Sequence, residues 1–254
     1  MFWKVMTTRP DICIGILELI LGIRIRSVRA SGQATLKITP DGKGVRLDVF
    51  ADDQNGTMYD IEMQTTSQNC LPERMRYYQG MIDVNTLHNG EDYDSLPDSK
   101  VIFICLNDQF GHGRPMYRFR NLDIAHPELE LHDRTEKIVL NASADWDDSN
   151  PDLSEFLQYV RTGLPDSQLS ESIKGAVSDI RRDKESEEEY MDYYTEQMRN
   201  EYFRGRAEEK KNTEDTFARL SAVMQEHGCS ANDFARAMSD TGFRKEIMQK
   251  YGIS

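Results

Sequence analysis

Hydrophobic and polar residues alternate with a period of two along two neighbouring stretches, residues 45–51 and 57–65. This period predicts β-strands, because successive side chains of a strand point to opposite faces of a sheet. The dipeptide Asn55-Gly56 lies between the two stretches and favours a tight turn, so together they predict a β-hairpin. The continuous apolar run over residues 101–106 is typical of a buried strand. Further short segments with the character of strands lie at residues 23–28, 34–38, 117–120 and 137–140.

Apolar residues recur at helical spacing in two regions of the first half of the chain. Residues 12–20 follow Pro10 and precede Gly22, a residue type that commonly ends helices. Pro72 opens a second helical pattern that should end near Gly90. We therefore expect one helix well before the hairpin and another directly after it.

From Pro151 onward the pattern is almost entirely helical. Residues 153–160 predict one helix and residues 169–211 a long helical stretch, which two or three short helices follow. The chain thus predicts an α/β fold, with a mixed core over residues 1–165 and a helical C-terminal extension over residues 166–254. Because the functional motifs described below end before the extension, we expect the core to fold without it.

The chain is acidic overall. Its 254 residues carry 31 Lys and Arg against 44 Asp and Glu, a formal net charge of −13. Proteins that coat nucleic acid through bulk charge are usually basic, which disfavours that class. The most apolar stretch, residues 12–25, is too short to cross a bilayer and contains Glu18 and Arg24, so we expect no membrane partner.

Cysteine spacing and the N-terminus indicate the compartment. No two cysteines form a C-x-x-C pair, so neither a zinc ribbon nor a thioredoxin-type redox site is predicted. The first residues lack the charged start and apolar middle of a secretion signal. We expect a cytoplasmic protein with reduced thiols. The cysteines are Cys13, Cys70, Cys105 and Cys229.

Polar side chains gather on one predicted face of the hairpin. Alternation places Arg46 and Asp48 on this face of the first strand. The second strand adds Asp60, Glu62 and Gln64. Carboxylates on adjacent strands repel each other, and a divalent cation such as Mg²⁺ would remove that repulsion. An antiparallel sheet with one face in water would give the same pattern, so the residues alone leave both interpretations open.

The order of these residues resembles a known nuclease motif. Asp48, followed fourteen residues later by Glu62-Met63-Gln64, is similar to the D…E-x-K core of the PD-(D/E)XK nucleases. The chain most closely resembles the Rpn family of recombination-promoting nucleases, which are also described as transposases. The resemblance continues through residues 73–78, 89–93 and 101–106 and the following Phe110.

The resemblance implies a restriction-endonuclease-like fold, with a mixed central sheet flanked by helices, that hydrolyses DNA with Mg²⁺ or Mn²⁺. Asp48 and Glu62 would hold the metal, and Gln64 would complete the catalytic set. Glu18 matches a position where many of these nucleases place a further acidic ligand, although an exposed helix glutamate is the alternative. Gln64 stands where the superfamily usually has a lysine, a difference common in Rpn-type sequences, and it removes a cation from the site.

Other side chains could replace the missing lysine or contact the substrate. Arg46 lies on the first hairpin strand, and Arg74 and Arg76 follow on the next helix. Each could instead be a structural ion-pair partner. Helical spacing places Tyr78 on the apolar stripe and leaves Tyr77 as the tyrosine expected to face the site.

Two functions therefore compete. The first is a Mg²⁺-dependent DNA endonuclease of Rpn type, linked to DNA recombination or transposition. The second is a catalytically silent PD-(D/E)XK fold that serves binding or assembly, with the helical extension as the surface through which copies of the chain associate. Retention of both Asp48 and Glu62 favours the enzyme, whereas the missing lysine and the acidic composition favour the binding module.

The register of the hairpin decides whether the site can form. A two-residue turn at Asn55-Gly56 would place Asp48 opposite Met63 and turn Glu62 to the other face of the sheet. A loop with an odd number of residues, or a one-residue bulge, places Asp48 opposite Glu62 instead. We predict the second arrangement, with the two carboxylates about 3–6 Å apart so that they can share one Mg²⁺.

Overall fold

The computed structural model describes residues 1–36, 44–66 and 70–182, together with short pieces between residues 219 and 251. The chain divides into two compact units, residues 1–187 and 188–254. The helices of the first unit are α1 (Phe2–Thr8), α2 (Pro10–Leu21), α3 (Leu71–Thr86), α4 (Pro151–Thr162) and α5 (Gln168–Arg182), with a 3₁₀ helix at Tyr93–Ser95. Its strands are β1 (Val28–Leu36), β2 (Val45–Asp53), β3 (Met58–Gln64), β4 (Ser99–Cys105), β5 (Met116–Phe119) and β6 (Thr135–Asn141).

The six strands form one mixed sheet in the order β1-β2-β3-β4-β6-β5. The β1–β2, β2–β3 and β5–β6 pairs are antiparallel, whereas β3–β4 and β4–β6 are parallel. Helices cover both faces. One hydrophobic cluster joins the sheet to α1, α2, α4 and α5, and a second joins it to α3. The predicted α/β fold, with a mixed central sheet flanked by helices, is confirmed.

The predicted helix ends agree with the structure. Helix α2 begins at Pro10 and ends before Gly22, whose left-handed φ of 68° lets its N–H donate to Glu18 O at 2.9 Å. Helix α3 has Pro72 in its first turn and ends at Thr86, slightly earlier than predicted. None of the described helices is long and apolar enough to span a bilayer.

Strand β1 corrects the two short strands predicted over residues 23–28 and 34–38. The structure has one continuous strand, Val28–Leu36, and residues 37–43 lie outside the described residues. The small residues in its middle resemble a turn in sequence but serve close packing against α1. A Cβ at Gly32 would lie only 2.4 Å from Trp3 Cε3, so the glycine lets the indole lie directly on the strand.

Helix α5 packs on the core of the first unit, although the sequence-based boundary assigns it to the extension. Ile173, Ala176 and Ile180 are buried in the same cluster as side chains of α1, α2 and α4. The helical stretch predicted over residues 169–211 is described only as far as Arg182, and its remainder lies outside the described residues. In the second unit, the described residues include α6 (Thr241–Lys250) and a buried cluster of Leu220, Met224, Ala237 and Ile247.

Two truncations test where the core ends. A chain that stops at residue 165 is expected to be destabilised by several kcal/mol, because burying one large apolar side chain contributes about 1.5–3 kcal/mol and α5 buries more than one. A chain that stops at residue 187 is expected to keep the stability of the first unit. Thermal unfolding followed by circular dichroism measures both, and equal melting temperatures would contradict this role of α5.

Candidate active site

The hairpin of β2 and β3 has the register that the candidate site requires. Val49 pairs with Ile61 and Ala51 pairs with Tyr59, a register that would place Asp48 opposite Glu62, although the paired ladder itself stops at Val49. The strands are joined by a three-residue loop, residues 54–56, whose last residue is a glycine with a φ of 80°. The predicted odd-numbered loop is therefore confirmed, despite the local preference of Asn-Gly for a two-residue turn.

The carboxylate of Asp53 fixes this loop. It accepts hydrogen bonds from the backbone N–H groups of Asn55 and Thr57 at 2.8 and 3.0 Å and from the Tyr59 hydroxyl at 2.8 Å. These three bonds hold the loop at one length. Because a one-residue change would turn Glu62 to the other face, Asp53 secures the register on which the site depends.

Strand β2 is irregular at Asp48. The paired ladder with β3 starts only at Val49, and Gln33, the residue facing Asp48 on β1, has a left-handed φ of 55°. Val45 and Leu47 pack in the cluster beside α3, whereas Val49 packs in the cluster on the opposite face. The strict alternation predicted for residues 45–51 is therefore wrong at this position, because β2 changes face at Asp48.

Asp48 and Glu62 meet through side chain and backbone rather than through a ladder pair. The Asp48 N–H donates to Glu62 Oε1 at 2.7 Å, and Asp48 Oδ2 accepts from the Met63 N–H at 3.2 Å. Each carboxylate thus accepts from a backbone N–H of the other strand, as a main-chain carbonyl does in a regular ladder. The two acidic residues that the sequence singled out are adjacent, as predicted.

Arg74 on α3 brings a positive charge to this cluster. Its Nη2 donates to Glu62 Oε2 at 2.6 Å and its Nη1 to Gln64 Oε1 at 2.8 Å. Its Nε donates to the Tyr78 hydroxyl at 2.8 Å. The guanidinium also lies over the rings of Tyr78 and Phe103, with 5.0 and 4.9 Å to the ring centroids. Arg74 is therefore held on three sides and links Glu62 to Gln64.

Gln64 suits this arrangement better than a lysine would. Its Oε1 accepts from Arg74, and its Nε2 donates to Thr66 O at 2.7 Å and to Thr66 Oγ1 at 3.1 Å. A lysine has donors only and could not accept from the guanidinium. The difference from the usual E-x-K motif therefore has a physical reason: the cation comes from α3, and the strand supplies its acceptor.

Asp60 is a buried carboxyl that sequence reasoning placed on the polar face without a role. It is fully buried, and neither carboxyl oxygen has a hydrogen-bond partner among the described residues. Burial, with the nearby charges of Glu62 and Asp48, raises its pKa well above the usual value. Burial and Asp48 also raise the pKa of Glu62 to about 7, although Arg74 opposes this shift. A face in water was one of the two interpretations of the polar pattern, but Arg74 of α3 lies against Glu62 and Gln64 on this face.

These raised pKa values predict that the protein is most stable under mildly acidic conditions. A carboxyl that holds its proton more tightly when folded contributes stability below its unfolded pKa, 4.5 for Glu62, and loses it as pH rises through about 7. Urea unfolding at pH 5 and pH 8 should show this loss, and Asp60→Asn should reduce it because the amide cannot ionise.

A matched variant separates this effect from general damage. Asp53 is also buried, but its carboxylate is fully hydrogen-bonded, so Asp53→Asn is expected to lose stability at both pH values. An Asp60→Asn protein whose stability depends on pH as strongly as that of the parent would contradict the assignment.

The remaining predicted site residues make other contacts. Glu18 Oε1 accepts from the Ile25 N–H at 2.8 Å, and its Oε2 pairs with Arg24 at 3.4 Å. It therefore secures the turn that leads from α2 to β1. Among the described residues, no three His, Cys, Asp or Glu side chains are arranged to hold a metal ion.

The other predicted substrate contacts are on the periphery. The Arg46 guanidinium donates to Gln33 Oε1. Arg76 lies about 200° around α3 from Arg74 and is exposed, and Tyr77 is 39% exposed. Tyr78, which sequence reasoning assigned to the core, is buried as predicted.

Tyr78 nevertheless also contacts the site, because its hydroxyl accepts from Arg74. The four-residue spacing of Arg74 and Tyr78 on one helix face was the signal that could have revealed this contact.

Comparison with known families agrees with this geometry. The family model for PD-(D/E)XK nuclease family transposases matches residues 6–144, more than half of the chain. The chain belongs to this family. The matched range of the PD-(D/E)XK protein includes β1 to β6, and with them the Asp48–Glu62 pair and Arg74. No curated protein and no solved structure matches the chain.

Proposed function

We propose that the chain is a metal-dependent DNA endonuclease of Rpn type, linked to DNA recombination or transposition. The observation that carries this proposal is the contact of Asp48 with Glu62, with Arg74 joining Glu62 to Gln64. Buried carboxylates add no stability to an apolar core: burial and the charge of Asp48 raise the pKa of Glu62, and burial with the charges of Glu62 and Asp48 raises that of Asp60. Their retention, in a chain of this family, supports catalysis.

Asp48 and Glu62 are the residues that would hold Mg²⁺ or Mn²⁺. Carboxylate oxygens are the ligands that these hard cations prefer, and the Asp60 carboxyl beside them has oxygens without a hydrogen-bond partner among the described residues. The residues present therefore fit a divalent cation. When bound, such a cation polarises a phosphate and lowers the pKa of its water.

Arg74 takes the role that the lysine of the E-x-K motif has in related nucleases. Its charge lies beside Glu62, where it would stabilise the negative charge that develops on a phosphate during hydrolysis. Gln64 and Tyr78 orient the guanidinium by accepting from Nη1 and Nε.

We propose Arg46, Arg76 and Tyr77 as outer contacts to DNA. We also propose a cytoplasmic location, where the thiols, none of them in a disulfide, stay reduced, and association of copies through the extension.

A catalytically silent binding module is the second candidate. Donors already engage both oxygens of Glu62, and no three-ligand metal group is present among the described residues. In that case the cluster would only hold β2, β3 and α3 together. The two functions can be distinguished, because only the nuclease breaks phosphodiester bonds in DNA.

Incubation of the full chain with supercoiled plasmid tests the proposal. With Mg²⁺ or Mn²⁺ we expect nicked and linear products, and with EDTA or Ca²⁺ we expect little or none. Ca²⁺ serves as the matched control, since it prefers more ligands and looser geometry while keeping the charge. Plasmid that stays supercoiled with every cation at high enzyme concentration would favour the binding module.

The Gln64→Lys variant tests why this chain departs from E-x-K. We expect cleavage to slow by about tenfold or more, because the ammonium would face the Arg74 guanidinium and remove its acceptor. Single-turnover rates on an end-labelled duplex measure the effect. A faster Gln64→Lys enzyme would mean that Arg74 does not replace the lysine.

A further inference from the structure

We infer that Arg74 and a divalent cation compete for the carboxylate of Glu62, so that Arg74 closes the site when the metal is absent. The inference rests on the proposed function and adds that Arg74 regulates the binding of metal.

Glu62 is fully engaged in the structure. Its Oε1 accepts from the Asp48 N–H at 2.7 Å and its Oε2 from Arg74 Nη2 at 2.6 Å. The side chain is almost completely buried, so water cannot compete for the remaining acceptor positions. A cation that is to bind this carboxylate must therefore weaken the contact with Arg74.

Charge makes the competition strong. Arg74 offsets the negative charge of Glu62 and of the neighbouring Asp48. Two positive charges a few ångströms apart in a buried site repel far more than in water. Removal of the guanidinium would leave Glu62 and Asp48 with a stronger attraction for an incoming cation.

Arg74 can release Glu62 without leaving the site. Only Nη2 contacts Glu62, whereas Nη1 and Nε are held by Gln64 and the Tyr78 hydroxyl. The ring of Phe103 supports the guanidinium from the side. Loss of one contact therefore frees one N–H group for an anion such as phosphate while the rest of the guanidinium stays oriented.

Mn²⁺ binding to the full chain, measured by calorimetry at pH 8.5, tests this competition. Arg74→Met keeps the bulk and removes the charge, and we expect its Kd for Mn²⁺ to fall at least tenfold. Tyr78→Phe removes one support of Arg74 with little risk to folding, and we expect a two- to threefold fall. Arg76→Met, on the exposed side of α3, is the control and should bind within twofold of the parent.

The outcomes separate the inference from the proposed function. Unchanged or weaker binding by folded Arg74→Met overturns the inference while leaving the metal site in place. Should that variant not fold, the Kd of Tyr78→Phe decides in the same way. Binding by Arg74→Met but not by the parent supports the inference most strongly. No Mn²⁺ binding by any folded variant overturns both the inference and the metal-dependent function.

Discussion

Glu62→Gln is expected to lower the rate of metal-dependent DNA cleavage by about 10³-fold or more. The amide keeps the shape of the side chain but loses the negative charge that a cation needs. Metal catalysis contributes several kcal/mol of transition-state stabilisation, and each ~1.4 kcal/mol corresponds to a factor of ten in rate. Single-turnover rates at saturating Mg²⁺ measure the loss.

The same substitution should leave the fold intact. Glu62 is a buried carboxyl whose pKa is raised to about 7, so its ionisation lowers the free energy of unfolding at higher pH. The amide oxygen of the substituted side chain can still accept from the Asp48 N–H, which holds the irregular strand. Circular dichroism and thermal unfolding check this point. A well-folded Glu62→Gln enzyme that cleaves within tenfold of the parent would show that Glu62 is outside the reaction.

Arg74→Met is expected to lower cleavage by about 10²-fold or more even when Mg²⁺ is saturating. Loss of one preorganised donor to developing negative charge typically slows a reaction by about 10²–10³. Arg74→Lys keeps the charge but not the forked geometry that reaches Glu62 and Gln64 together, so we expect an intermediate rate. Single-turnover rates across a Mg²⁺ titration provide the measurement.

The titration also identifies the cause of the loss. Tighter metal binding with a lower maximal rate is the expected signature of Arg74→Met, since a merely structural defect would weaken both. Arg76→Met should match the parent in its affinity for the metal. An Arg74→Met enzyme with the parental maximal rate would remove Arg74 from the chemistry.

The register of the hairpin could be predicted from the motif, although the local turn preference pointed to another register. Asp48 and Glu62 must share one side for the motif to make sense, and this requirement correctly outweighed the preference of Asn55-Gly56 for a short turn. The irregularity at Asp48 could not be predicted in the same way. It depends on the left-handed backbone of Gln33, a residue of another strand, and no feature near Asp48 encodes it.

The environment of the carboxylates depends on contacts between distant elements. Arg74 reaches Gln64 and Glu62 across ten and twelve residues, and the sequence offered Arg46 and Arg76 as equal alternatives. Burial of Asp60 follows from the way α3 crosses the sheet, which no periodicity reveals. The contact of Glu18 with the Ile25 N–H could not be predicted, because Ile25 belongs to a turn that sequence reasoning took for a strand.

The boundary of the core also depends on packing between distant elements, which the sequence pattern does not reveal. Helical periodicity correctly identified α5, but periodicity does not say what a helix packs against. Ile173 and Ile180 face the first unit and are buried in its core. The predicted boundary at residue 165 followed the end of the motifs, whereas packing extends to the end of α5.

Plasmid cleavage by Asp48→Asn beside Asp52→Asn tests the central claim most directly. Both residues are acidic positions of β2, but Asp52 pairs with Arg29 at 2.5 Å, away from the cluster, and Asp48 contacts the backbone of β3 beside Glu62. With Mg²⁺, Asp52→Asn should nick and linearise supercoiled plasmid as the parent does, while Asp48→Asn should leave it supercoiled. Equal cleavage by the two variants would contradict a nuclease site built on Asp48 and Glu62.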